Sequence, residues 1–241
     1  MLDVHPPHHP TRSWTDFFIH IATITVGLLI AIGLEQTVEA IHHHQQRREL
    51  ELQLHHETQR NLDLVQTNIA HLTTLRTWLN SAIVALNTAP VTNGKISHSA
   101  LLPLSNSDSN IWTPSRTVWA VAKASGAVAL LPENEAQVYA RVDFEAEQLQ
   151  AAEIEMGRAT EPFGIIIKSW DGLPPAQRQS FTVAERDTLV HALSQASNGV
   201  NKMMGYQLTE SGACRGALNG AQSVEEIFHY IQQESKSSAN N

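Results

Sequence analysis

A single cysteine, Cys214, stands in 241 residues, which rules out an internal disulfide and a cysteine-rich zinc module. Cations are sparse as well. Sixteen Lys and Arg are spread along a chain of net charge −8, so no basic patch exists to replace counterions on a nucleic acid, and no nucleic-acid partner is expected. Proline and glycine are both missing from Leu34 through Ala89, so nothing there interrupts a helix. Catalytic signatures are missing too. There is no G-x-S-x-G elbow and no phosphate-cradling loop, since Gly199 to Gly205 lacks both the glycine spacing and the Lys-Ser/Thr pair. His56-Glu57 begins a zincin pattern, but Arg60 occupies the place of the second histidine ligand. Cys214 with His191 or His229 is a nominal nucleophile pair, although a lone cysteine on a helix is more often a small core residue. The expectation is therefore a non-enzyme with no catalytic residue and no cofactor.

What is present begins with 42% hydrophobic residues, enough to pack a core rather than leave the chain disordered. The run Phe17 to Leu34 (FFIHIATITVGLLIAIGL) carries no charge. As a helix it is about 27 Å long, close to the hydrocarbon thickness of a bilayer. Trp14 lies just outside it, where an indole favours the headgroups, and Asp16 and Glu35 bracket the run. These features predict a transmembrane helix, with the lipid bilayer as its partner. A cleaved signal peptide is the rival reading, because Val38-Glu39-Ala40 allows cleavage after Ala40. Against it, the apolar run exceeds the usual signal core of about 7–15 residues, and only Arg12 precedes it. His20, Thr23, Gly27 and Ala31 recur at steps of three or four and share one stripe of the helix. Small residues let membrane helices approach closely, so the stripe is a candidate self-association seam, although such residues are common in membrane helices anyway.

Beyond the membrane, the segment from Glu35 to Arg60 is polar nearly all round, as in a solvent-spanning stalk. A coiled-coil-type heptad follows at Leu62, Val65, Ile69, Leu72, Arg76, Leu79, Ile83 and Leu86, carrying the helix to about Asn87. Residues 88–112 are rich in turn formers. Thr113-Pro114 should open a short helix ended by Gly126. Pro132 should open a longer one with Val138, Val142, Leu149, Ala152 and Met156 on its apolar face, and Pro162 should kink or end it before Phe163 to Trp170. A turn, DGLPP, follows at Asp171. Thr182 and Glu185 form a capping box for a helix reaching about Leu218, with Leu189, Leu193, Ala196, Val200 and Met203 on one face. Ser223 and Glu226 form another, leading Val224, Ile227, Phe228 and Ile231. No strand-like alternation of useful length is apparent. The fold class is therefore all-α: an N-terminal transmembrane helix continuing into a long stalk helix, then an antiparallel helical bundle. The expected organisation is a tail at 1–16, the membrane helix at 17–34, the stalk at 35–61, the bundle at 62–234 and a disordered tail at 235–241.

The stretch from Gly27 to His44, GLLIAIGLEQTVEAIHHH, resembles an uncharacterised group of bacterial single-pass membrane proteins, whose N-terminal helix ends in a similar run before an acidic, His- or Arg-bearing segment. Thr117-x-Trp119 and Ser125-Gly126 resemble the short helix and turn before the second half of those proteins. The resemblance implies an anchored helical domain facing the periplasm from the inner membrane, and it implies no activity. Charge counting alone points the other way, because Arg47 and Arg48 follow the helix while only Arg12 precedes it.

Thirteen histidines are the remaining oddity. His42, His43, His44, His55 and His56 are the candidate metal ligands, with His5, His8 and His9 ahead of the membrane. Consecutive His42–His44 point about 100° apart on a helix and cannot close on one ion, so a site would need several chains or the N-terminal tail. The plainer reading is a polar stalk whose histidines sit at the membrane interface. Glu35 and Glu39, one turn apart, would make acidic rings in an oligomer and an ordinary solvated helix start in a monomer. Trp112, Trp119 and Trp170 are expected to pack loops on the bundle, and Met156, Met203 and Met204 to fill its core. The leading functional expectation is an anchored assembly or interaction protein, a homo-oligomer through its transmembrane and stalk helices, with a protein partner not identified. The alternative is a periplasmic ligand- or metal-sensing helical domain.

Overall fold

The computed structural model describes residues 14–97, 111–172 and 180–239. Among them are five α-helices and two three-residue strands: α1 (Trp14–Thr88), β1 (Lys95–Ser97), α2 (Thr117–Ser125), α3 (Glu133–Asp171), β2 (Ser180–Thr182), α4 (Val183–Leu218) and α5 (Val224–Ala239). A 3-10 turn, Ala127–Leu130, joins α2 to α3. The chain divides into two units at Glu49/Leu50.

In the first unit the helix begins at Trp14, so Trp14 to Asp16 are already helical; the rest of the expected tail lies outside the described residues. Its apolar stretch has a mean hydropathy of 2.3 and none of it is buried, which makes α1 long and apolar enough to cross a membrane. Trp14, Phe17 and Phe18 cluster at its start with ring centroids about 6 Å apart.

The second unit is the bundle. Burial starts at Leu50 and Leu54, about three turns ahead of the boundary expected at residue 62. The main core joins Val65, Leu72, Leu79 and Leu86 of α1 to Leu149 of α3 and Leu189, Leu193 and Met203 of α4. These are the heptad positions read from the sequence, with Ile69, Ile83 and Met156 packed at the margin. A smaller cluster joins Leu62, Val138, Val142, Cys214 and Ile227, and another joins Leu50, Leu54, Trp119 and Leu131. Helices α4 and α5 approach so closely that a Cβ on Gly212 would lie 2.5 Å from the Ile231 Cα.

Four local expectations change. Pro162 lies inside α3, which runs on to Asp171. A proline removes one N–H and one turn's hydrogen bond. Beyond it, Phe163 and Ile166 pack on the main core, with Phe163 against the Trp78 ring at 5.7 Å, and this burial offsets the loss. Thr113 does not cap a helix: its hydroxyl donates to Glu153 at 2.6 Å, and α2 starts at Thr117. Strands do form, pairing Ile96 with Phe181 antiparallel, and both side chains are buried. Ahead of β1, Asn93 and Gly94 take positive φ, 54° and 72°, between the bridged Thr92 and Lys95, the geometry of a two-residue hairpin turn. Finally, α5 continues through Ser235 to Ala239 where a disordered tail was expected. The Arg215–Glu234 ion pair at 2.6 Å and the Ser235 hydroxyl on the Ile231 carbonyl at 3.0 Å hold that turn. Gly126, with φ 78°, ends α2 as expected, and the Thr182–Glu185 capping box forms in both directions. The second box is half made: Glu226 N–H donates to Ser223, but the Glu226 carboxylate accepts from Gln222 N–H. The DGLPP turn lies outside the described residues from residue 173 onward.

Candidate functional site

The polar chemistry of the bundle concentrates where α1 meets the segment leading into α2. Three α1 side chains turned toward the core, Glu57, Asn61 and Asn68, are each buried to 5% exposure or less. The Asn61 carboxamide donates to the Ser115 carbonyl at 2.7 Å and accepts from the Ser115 N–H at 2.9 Å. Two turns on, Asn68 makes the same pair with Trp112, at 2.8 and 3.2 Å. The segment from Trp112 to Ser115 is thereby held along the helix, with the backbone groups of both residues satisfied by side chains. Glu57 completes the clamp. Its carboxylate accepts from the N–H groups of Thr117 and Val118 at 3.0 and 3.2 Å and from the Ser115 hydroxyl at 2.6 Å. A carboxylate there satisfies orphan amides and meets the positive end of the α2 dipole.

Beside the clamp, Arg116 binds Asp143 through two nitrogens at 2.6 and 3.1 Å and reaches Glu147 at 3.0 Å; Lys123 adds a third contact to Asp143 at 3.0 Å. Burial pushes the Asp143 carboxyl up, but the hydrogen bonds from Arg116 and Lys123 outweigh it and hold the group below the usual carboxylate range. The space enclosed by these groups is about 20 Å³, room for one water and for no organic ligand.

A second polar layer lies on α4. Gln207, Glu210, Ser211 and Cys214 share one face and are all buried. The Cys214 thiol donates to Glu210 Oε1 at 3.3 Å. Burial pushes the Glu210 carboxyl up to about 8, with the Glu145 and Asp143 charges adding to the effect, so the group is neutral at pH 7. The Cys214 thiol is likewise held well above its ordinary value by burial and by Glu210. A buried thiol in that state is a poor nucleophile. His191 is engaged elsewhere, its Nε2 lying 3.1 Å from Gln195 Nε2.

The residues singled out from the sequence fall differently. His20, Thr23, Gly27 and Ala31 are all exposed on α1. The Thr23 hydroxyl bonds the Ile19 carbonyl at 2.8 Å, and a Cβ added to Gly27 would meet nothing within 4 Å. His42, His43, His44, His55 and His56 are exposed as well; His42 Nε2 lies 2.9 Å from Gln46 Nε2, and the rings of His55 and His56 meet edge to face at 6.3 Å. Among the described residues no group of three His, Cys, Asp or Glu side chains converges on a metal-sized site, and His5, His8 and His9 lie outside them. Trp119 is buried, Trp112 is exposed, and Met203 and Met204 are in the core.

Sequence reasoning missed the clamp because Glu57, Asn61 and Asn68 read as stalk and heptad-flanking polarity. Their signal was spacing: they recur at four and seven residues in step with Leu54, Leu62, Val65 and Leu72. No protein-family model, no curated protein and no solved structure matches this chain.

Proposed function

We propose that this chain is a single-pass membrane protein of the bacterial inner membrane, whose helical bundle serves assembly or interaction from the periplasmic side. One observation carries the reading: the uncharged run of α1 from Phe17 to Leu34 is wholly exposed, a state that apolar side chains hold in lipid rather than in water. The polar groups of the bundle support a non-catalytic role, because the clamp and the Arg116–Asp143 network spend their hydrogen bonds on the fold itself. Self-association through Gly27 and Ala31 extends the proposal, since the small residues leave a face that a second helix can approach.

Alkaline carbonate washing of cell membranes tests the anchor. Release of the full chain into the wash would remove the proposal. Sidedness is read with Lys236→Cys, an exposed position on α5, because the native Cys214 is buried and does not report accessibility. Labelling of intact cells by a membrane-impermeant maleimide is the expected result, and labelling only after lysis reverses the orientation. Capture of a partner from native membranes would then name the process.

A further inference from the structure

Helical Ser and Thr residues of this protein usually return their hydroxyl to the carbonyl one turn back. Thr67, Thr73, Thr77, Ser194 and Thr209 do so at 2.7–3.0 Å. Ser211 does not. The residue is 1% exposed, and its hydroxyl has no hydrogen-bond partner among the described residues. A buried unpaired hydroxyl is costly, and native structures rarely keep one without a use. Ser211 lines a groove of about 360 Å³ between α1, α4 and α5, a volume within the range of small-ligand sites.

The same groove holds the one departure from the α1 heptad. Arg76 takes a seam position between Leu72 and Leu79, where an aliphatic residue would continue the pattern. It is half-buried, and no acidic residue pairs with it among the described residues, whereas Arg215 across the groove is neutralised by Glu234 at 2.6 Å. The groove therefore presents one uncompensated guanidinium and one buried hydroxyl donor, with Ile69 and Leu208 supplying aliphatic walls. A guanidinium fork matches a planar carboxylate in two parallel hydrogen bonds.

We propose that this groove binds a small aliphatic carboxylate, with Arg76 taking the carboxylate, Ser211 donating to it, and Ile69 and Leu208 covering the carbon chain. The site lies within the Leu50–Asn241 unit and does not depend on the membrane assignment. The apolar walls favour an organic acid over inorganic phosphate, which has no carbon chain to cover.

Isothermal titration of the full chain in detergent with sodium succinate, sodium butyrate and inorganic phosphate tests it. Saturable binding of succinate or butyrate is expected, with phosphate at least about tenfold weaker. Arg76→Leu restores the heptad, so the variant should fold and lose binding; Arg76→Gln, which keeps a polar side chain, is the second variant should Arg76→Leu misfold. Ser211→Ala should weaken binding by about tenfold or more, the scale of a hydrogen bond to a charged group. No binding of either carboxylate, tighter binding of phosphate, or unchanged binding in a folded Arg76 variant or in Ser211→Ala would each overturn the assignment.

Discussion

The side chain of Asn61 and the backbone of Ser115 form a closed two-bond pair, with donor and acceptor both used at 2.7 and 2.9 Å. The pair is part-buried and bridges 54 positions of sequence. Asn61→Asp keeps the shape but removes the donor and places a charge against the Ser115 carbonyl. The expected loss is about 1–3 kcal/mol, the cost of a buried group left unpaired. Thermal unfolding of the full chain in detergent, followed by circular dichroism, checks it; an unshifted midpoint would show that the clamp contributes nothing.

Glu210 sets a pH dependence whose sign is fixed by its burial. Its folded value, about 8, lies above the ordinary 4.5, so the folded state binds the extra proton. The stabilising contribution is therefore complete below pH 4.5 and declines as pH rises, disappearing through about pH 8. The groups facing it are Cys214 on its own helix, Glu145 and Asp143 on α3, and Arg116 ahead of α2; burial and the two carboxylates raise its value, while the Cys214 hydrogen bond and the Arg116 charge act in the opposite sense. Glu210→Gln keeps the shape without the ionisation. The variant should be the more stable protein at pH 8 and show a flatter stability profile between pH 5 and pH 8. Parallel profiles for the two proteins would locate the titration elsewhere.

Gly212 lets α4 and α5 touch backbone to backbone. A methyl group there would sit 2.5 Å from the Ile231 Cα and 2.7 Å from its nitrogen, atoms that no side-chain rotation can clear. Gly212→Ala favours the isolated helix, yet it should destabilise the bundle by about 1–3 kcal/mol through overpacking. Ala substitution at Gly205, where a Cβ meets nothing within 4 Å, is the matched control and should be neutral or stabilising.

The membrane stripe makes a prediction of a different kind. Gly27→Leu adds bulk to a face that is open in the single chain, so the fold of the monomer should be untouched. Size in detergent should fall toward the monomer if small residues hold two helices together. Retention of the original size would exclude Gly27 from any contact.

Long-period features were legible in the sequence. The α1 heptad, the helix faces of α3 and α4, the Thr182–Glu185 box and the Gly126 stop all follow from local spacing or a single residue's backbone preference. Features that needed a distant partner were not. Nothing near Thr113 reveals that Asn61 and Asn68 will hold its neighbours along α1, or that Glu57 will do the capping instead. Pro162 reads locally as a kink or an end, and the packing of Phe163 on Trp78 lets the helix run on past it. Asn93-Gly94 signals only the local turn between Thr92 and Lys95, and the distant partner of β1 at Phe181 has no local signal. The candidate groove was not legible: Arg76 reads as an ordinary heptad position, and the unpaired hydroxyl of Ser211 exists only in three dimensions.

The Glu57 carboxylate gives α2 an unusual status. Nine residues are too few to sustain a helix in water, and α2 has no side-chain cap of its own. Its first amides are answered by a residue 60 positions earlier. The instruction to begin α2 is thus written in α1, and a peptide cut from Thr117–Ser125 should remain a coil. Helix α2 works as a latch that closes after the strut behind it has formed, so any process that frays α1 near Glu57 also undoes a helix well removed from it in the chain.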